Sequence, residues 1–450
     1  MGSSQGFRPP LPPGPYLVVG LARSGVAAAL ALRDRGAEVI GVDSGSADNA
    51  GLAQAAGRLS EAGVEVHLDA SGDVLAARAR TLIKSPGVPQ NAPVVVAARA
   101  HGLAVVGEIE LAWRLIENEF IAVTGTNGKT TTTEWIGHIH REAALPVAVA
   151  GNVGTALTSL VGRLAPDATI ACEVSSFQLE DTDFFAPEAA VLLNISPDHL
   201  DRHPSFDDYV AAKLKVFANQ GNDDIAVAPV DLGIEDIGGC ARRVLFGARE
   251  DAELSERSGY LWWDEEPLIE VDEIALPGAH NVQNAMAAAA VCLARGIEAE
   301  SVAAGLRTFT GVVHRLEQIA VQDGVAWVND SKATNVGSTI VALQAFDQPV
   351  ILIAGGVGKQ QDFSPLAPLV AQRCRSVYLI GDAAGDLEQA LRGTRVPLHQ
   401  AGDLEHAVSR ARTEARPGDA VLLSPACASF DQYPNYEARG EHFRALVEAG

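Results

Sequence analysis

Short apolar runs punctuate the chain at Tyr16 to Val19, Glu38 to Val42, Phe120 to Val123, Thr169 to Val174, Ala189 to Ile195, Ala326 to Val328, Pro349 to Ala354, Val377 to Ile380 and Ala420 to Ser424. Helical patterns alternate with them, including an Ala-rich stretch after Gly25 and the segment Asn284 to Arg295, which Gly296 stops. Strand and helix in alternation predict parallel sheets and an α/β fold class. The runs fall into three blocks, so three domains are expected, at residues 16–117, 118–312 and 313–450, behind a flexible Pro-rich N-terminus at 1–15. Residues 221 to 275 are acidic, rich in turns and without a clean period, and read as edge strands and loops.

Composition narrows the function classes. The 450 residues are 47% apolar, enough for several cores. A formal charge of -23 and a pI near 4.8 oppose non-specific binding to nucleic acid or anionic lipid. Five cysteines, Cys172, Cys240, Cys292, Cys374 and Cys427, form no C-x-x-C pair, which favours the reducing cytoplasm over a disulfide or zinc framework. The N-terminus has no apolar signal core and no 18-residue apolar run occurs, so neither secretion nor a membrane span is expected.

The most specific chemistry lies in Thr124-Gly125-Thr126-Asn127-Gly128-Lys129-Thr130-Thr131, directly after an apolar strand. Such a turn offers backbone N–H groups to phosphate, Lys129 adds a point charge and Thr130 a hydroxyl for Mg²⁺. The usual pattern wants glycine at 123, where this chain has Val123. A weaker glycine turn, Gly20 to Gly25, has Ala22 where a dinucleotide binder needs a bare backbone. Asp43, 23 residues after Gly20, stands where an acid reads a ribose hydroxyl; the competing reading is a turn that serves packing alone.

Glu173 and His199 follow successive strands of the phosphate-loop block, which suits metal ligation, against the plainer reading of surface or capping residues. Lys213 sits on a predicted helix, where lysines are ordinarily solvated, and spacing alone does not single it out. Asn281 and Asn284 share a helix face and could cap the helix or read a base. Polar groups crowd His314 to Glu317 and Asn329 to Asn335 around one strand. Gly355 to Lys359 lacks the hydroxyl of a second phosphate loop, but its lysine could bind a carboxylate. Ser424 to Asp431 ends the last strand with small residues, fitting close ligand approach or tight packing.

In order along the chain, Thr-Gly-Thr-Asn-Gly-Lys-Thr, Glu-Val-Ser-Ser-Phe-Gln-Leu, Asp-His-Leu-Asp-Arg, His-Asn-x-x-Asn, His-Arg-Leu-Glu, Asn-Asp-Ser-Lys-Ala-Thr-Asn and Leu-Ser-Pro-Ala-Cys-Ala-Ser-Phe-Asp resemble the Mur ligases of peptidoglycan synthesis. The resemblance runs from Tyr16 to the end and is strongest toward the glutamate-adding member. It implies a Rossmann-like N-terminal domain, a P-loop central domain and a Rossmann-like C-terminal domain. It also implies an ATP-dependent ligase that joins D-glutamate to UDP-N-acetylmuramoyl-L-alanine, a monomer in the cytoplasm that engages neither nucleic acid nor membrane.

By resemblance, Gly125, Thr126, Asn127, Gly128, Lys129, Thr130 and Thr131 hold ATP, with Asn284, Arg315 and Asp330 on its adenine, phosphate and ribose. Thr130 and Glu173 hold one of two Mg²⁺ ions and His199 a second, with Lys213 as a carbamylated lysine beside them. Lys129, His199 and Lys213 are the catalytic set. Asn152 and His199 contact the muramoyl substrate, Ser24 and Asp43 lie near its nucleotide, and Thr334, Lys359, Ser424 and Phe430 hold glutamate. The rival readings are a folylpolyglutamate-synthase-type amide ligase, a P-loop ATPase switch and, against Ala22, a nicotinamide dehydrogenase.

Overall fold

The computed structural model describes residues 8–198, 202–234, 236–358 and 361–449. Its architecture is α/β, with three sheets in two compact units, one extending to Thr310 and the other starting at Gly311.

The first sheet comprises β1 (Tyr16–Val19), β2 (Val39–Val42), β3 (Glu65–His67), β4 (Thr81–Lys84) and β5 (Ala104–Gly107). All pairs are parallel, in the order β3-β2-β1-β4-β5. Helices cover both faces, so β1, β2 and β4 are buried along their length, which is why they read as unbroken apolar runs. Strand order reverses between β1 and β4, which opens a crevice beyond their carboxyl ends.

The second sheet comprises β6 (Phe120–Thr124), β7 (Val147–Gly151), β8 (Thr169–Glu173), β9 (Ala189–Leu192), β10 (Ile225–Pro229), β11 (Arg242–Gly247), β12 (Leu254–Arg257), β13 (Tyr260–Trp263) and β14 (Glu266–Glu270). Its order is β14-β13-β12-β11-β10-β9-β6-β8-β7, parallel except for the terminal meander β12-β13-β14. The aperiodic stretch 221 to 275 is therefore one edge of this sheet. β6 lies inside it, flanked by β8 and β9, so Glu173 and Leu192 end the two strands beside the phosphate loop.

Two devices join the first sheet to the second. Lys84, at the end of β4, places Nζ 2.7 Å from Asp181 Oδ2, and both side chains are buried. Gln90 donates to the other Asp181 oxygen at 2.8 Å, so the carboxylate is fully engaged. Arg8 is the second device. It donates to the Trp113 and Asn118 carbonyls and to Glu188, with its guanidinium 5.2 Å from the Trp113 ring centre. In the described part of the segment before β1, the Tyr16 hydroxyl also donates to the Pro12 carbonyl and the Thr81 hydroxyl to the Pro13 carbonyl.

The second unit contains β15 (Glu317–Gln322), β16 (Val325–Asn329), β17 (Val350–Gly355), β18 (Cys374–Ile380), β19 (Leu398–Gly402) and β20 (Ala420–Leu423), in the order β15-β16-β20-β17-β18-β19. Only β15 is antiparallel among these described strands. Alternate residues of β17 feed two cores: Val350, Leu352 and Ala354 on one face, Ile351 and Ile353 on the other.

The buried Lys84–Asp181 pair yields a stability prediction. Lys84→Ala strands a buried carboxylate and is expected to lower unfolding free energy by about 3–5 kcal/mol in denaturant titration, whereas Lys84→Met with Asp181→Leu costs much less. Equal losses in the single and double variants would show that the charge pair is not the source.

Candidate active site

Val123 explains the irregular phosphate loop. It is buried in β6, paired with Glu173 and Val191, and its carbonyl accepts from Val174 N at 2.9 Å. The strand therefore continues one residue past the position where a glycine would begin the turn, and the bend falls at Gly125, φ +150°. The next bend is Gly128, φ +85°, where a Cβ would lie 2.2 Å from Asn284 Oδ1. Asn284 thus rests on the loop, and neither it nor Asn281 caps the helix Ala279–Ala294 as first considered: Asn281 instead donates to the Pro277 carbonyl.

The segment after β9 holds the loop's shape. Asn194 accepts from Asn127 N at 2.9 Å and donates back to the Asn127 carbonyl, while Thr126 N donates to the Asn194 carbonyl. Thr126 Oγ1 lies 3.0 Å from Tyr209 Oη and accepts from Ser196 N. Lys129 opens the helix Lys129–Glu142, and its ammonium donates to the Gly125 and Thr126 carbonyls at 2.9 Å each. Thr131 lies buried in the same first turn.

Lys213 joins this cluster from the helix Phe206–Ala218. Its side chain is buried, donates to the Gly125 carbonyl at 2.7 Å and lies 4.6 Å from the Tyr209 ring centre. Burial, followed by the nearby Lys129 charge, pushes its ammonium down to about 6. It is the reverse of a solvated helical lysine. Two lysines thus converge on one backbone carbonyl.

Glu173 connects the loop to the first sheet's crevice. Its Oε2 accepts from Thr130 Oγ1 at 2.6 Å and its Oε1 from Asn152 Nδ2 at 3.0 Å. Thr130 and Glu173 present only oxygen donors, the set that Mg²⁺ prefers alongside phosphate and water, so these residues fit the ion. Asn152 in turn lines a cavity of about 800 Å³ together with Gly20, Ser24, Asp43, Ser85 and Gln178. Asp43 accepts from Leu21 N at 2.7 Å and from Gly45 N at 2.8 Å, so it braces the turn while facing the cavity. Gln178 is set by a capping box with Ser175, which accounts for part of the Ser-Ser-Phe-Gln motif.

In the second unit, Asp330 lies beyond β16, accepts from Leu316 N and Ser424 Oγ, and has Arg315 3.9 Å away. Burial outweighs these partners and pushes its carboxyl up to about 6. Thr334 lies on the same strand-end loop, half-buried. Ser424 is 0% exposed, and its hydroxyl donates to Asp330 and Thr339 beneath the loop. Phe430, seven residues on from the strand's last residue, is 69% exposed. His199 and Lys359 lie outside the described residues. Sequence patterning also passed over Arg439. It is buried and donates to the Ser331, Gly355 and Cys427 carbonyls, tying together the ends of β16, β17 and β20. A lone Arg-Gly in a terminal helix gives no periodic signal of that role.

The model of the Mur ligase middle domain matches residues 123–292, and that of the Mur ligase, glutamate ligase domain matches 314–427. UDP-N-acetylmuramoylalanine--D-glutamate ligases of Acidobacterium capsulatum and Pelotomaculum thermopropionicum are each 43% identical to the chain, over 96% of it and 96% of their own length. Among solved structures, UDP-N-acetylmuramate-alanine ligase MurC of Thermotoga maritima superposes with a TM-score of 0.61 at 18% identity, covering 97% of this chain and 100% of that one. MurF of Acinetobacter baumannii gives 0.60 at 18%, covering 96% and 93%. These last two show a shared fold. Relatives at this identity across almost the whole length establish that the chain belongs to the Mur ligase family.

Proposed function

We propose that this chain is an ATP-dependent ligase that adds D-glutamate to UDP-N-acetylmuramoyl-L-alanine, a step of peptidoglycan precursor synthesis. One observation carries the reading furthest. The Glu173 carboxylate touches Thr130 of the phosphate loop and Asn152 of the nucleotide-sized cavity, so a γ-phosphate on one side faces a substrate terminus on the other. The family membership and the names of the relatives support the same chemistry. The three sheets then correspond to three functional domains divided near residues 117 and 312: UDP-substrate, ATP and amino-acid binding.

A carboxylate is a poor electrophile, so it must first be activated. An oxygen of the alanyl carboxylate attacks the γ-phosphorus, the bond to ADP breaks, and an acyl phosphate forms. The glutamate amine then attacks the acyl carbon; the carbon–oxygen bond to phosphate breaks and the amine loses a proton. Backbone N–H groups of Gly128 to Thr130 cradle the phosphates, those of Thr126 and Asn127 being held by Asn194, and Lys129 counters the repulsion between two anions. Thr130 and Glu173 would hold a magnesium ion, which when bound would add positive charge beside the phosphate oxygens. We extend the proposal to a second ion held by His199 and a carbamylated Lys213. The buried, largely neutral amine of Lys213 supports this, because only the free base reacts with carbon dioxide, and the product is an anionic oxygen donor.

Asn284 is assigned to adenine, Arg315 and Asp330 to phosphate and ribose, Ser24 and Asp43 to the uridine nucleotide, and Thr334, Lys359 and Phe430 to glutamate. We place the enzyme in the cytoplasm as a monomer. No helix among the described residues is long and apolar enough to cross a membrane, and the net charge opposes anionic surfaces.

Phosphate release is expected with ATP, UDP-N-acetylmuramoyl-L-alanine and D-glutamate, and not with L-glutamate or without amino acid. No release with either enantiomer overturns the assignment; turnover without amino acid favours an ATPase switch, and a folate requirement favours the folylpolyglutamate-synthase type.

Lys213→Ala is expected to lower turnover by about 10²- to 10³-fold, the usual scale for losing one charge-positioning group. Added formate or acetate should restore part of it. Undiminished turnover in the variant would exclude the carbamate.

A further inference from the structure

Each sheet of the first unit supplies one wall of the 800 Å³ cavity. From the second come Asn152 and Gln178, and from the first comes the stretch after β4, in which every residue from Ser85 to Val94 lines the space except Gln90. Gln90 turns the other way. Its amide donates to Asp181 Oδ1 at 2.8 Å and to Glu180 Oε2 at 3.3 Å, just past Gln178 on the opposite wall. Lys84, the residue before the stretch, donates to the second Asp181 oxygen at 2.7 Å, and Gly107 N at the end of β5 donates to the Asp181 carbonyl. Arg99, on the helix Pro93–Ala100, donates to Gln90 Oε1. The wall from the first sheet is therefore held before, within and after its length.

The stretch's own backbone shapes it without placing it. Pro86, Pro89 and Pro93 carry no N–H, and the N–H groups of Val88 and Ala92 close turns within the stretch, onto the Ser85 and Pro89 carbonyls. Nor does stability account for the buried Lys84–Asp181 pair, because a well-packed apolar pair of similar volume commonly holds a fold as firmly as a buried salt bridge. What the apolar pair lacks is direction. Two donors on one carboxylate fix both the distance and the angle between the elements that carry them.

We propose that Lys84, Asp181 and Gln90 are positioning residues that set the gap between the Ser85 to Val94 stretch and Gln178, and through it the affinity for the uridine-linked substrate. This rests on the reading that the 800 Å³ cavity holds that substrate. None of the three lines the cavity, so they act on a ligand only through its walls. A wall left loose has to be ordered when the ligand binds, and that ordering lowers the affinity.

The test compares the wild type with Gln90→Met and with the double variant Lys84→Met, Asp181→Leu. Denaturant titration establishes that each is folded; should the double variant fail, Gln90→Met, at a half-buried loop position, carries the test alone. KM for the uridine-linked substrate is expected to rise about 3- to 10-fold in each, the scale of one lost neutral hydrogen bond, while KM for ATP and for D-glutamate holds. Hydrogen exchange over residues 85–94 should be faster in the substrate-free variants than in the wild type. Unchanged KM for the uridine-linked substrate in the folded variants overturns the inference, and so does an equal rise for all three substrates, which would mark a general loss of stability. The reading of the cavity is tested separately: if the uridine-linked substrate gives residues 85–94 of the wild type no protection from exchange, the cavity does not hold it and the inference falls as well.

Discussion

A single carboxylate, Glu173, organises the first unit. It ends β8 next to the phosphate loop, and its two oxygens are divided between Thr130 and Asn152. Because β6, β8 and β7 are neighbours in parallel register, the loop after β6, the carboxylate after β8 and the Gly151 turn after β7 necessarily meet at one end of the sheet. Gly151 makes the approach possible: at φ +123°, a Cβ there would lie 2.2 Å from the Glu173 carbonyl. The Asn152 amide can then reach back to the carboxylate, and through it the ATP side of the sheet is bonded to the wall of the adjoining cavity.

The electrostatics of this point are set by burial more than by pairing. Lys213 and Lys129 donate to the same carbonyl, that of Gly125. Desolvation drives one of them toward neutrality. That buried amine is a product of the fold, because one helix face carries it to the phosphate loop.

Much of the framework was readable in the chain because parallel strands buried on both faces are written as continuous apolar runs. β1, β6, β17 and β20 are visible for that reason, and so is the phosphate loop, whose glycines and lysine are local requirements. Lys213 and Arg439 were invisible to periodicity because their roles come from what the fold packs around them, 88 residues away in the case of Lys213 and Gly125. The contacts of the Pro-rich start were not legible because its partners lie far along the chain: Arg8 meets Trp113, Asn118 and Glu188, more than 100 residues distant, and Thr81 donates to the Pro13 carbonyl. The Ser424 hydroxyl's bond to Asp330, 94 residues away, was equally illegible in the small residues of its strand end.

The first glycine turn separates two readings that the sequence could not. A Cβ on Gly25 would lie 1.9 Å from the Gly20 carbonyl and one on Gly20 would meet Val88 at 2.9 Å, so both glycines are required by packing alone, and Ser85 donates to the Gly20 carbonyl from β4's end. Their presence is then no evidence for a ligand. What favours one is the remainder of the turn: Ala22 and Ser24 face an open cavity, and Arg23 reaches across it to a loop of the neighbouring sheet. Packing fixes where the turn bends, which leaves the side chains between its glycines to determine what the crevice accepts.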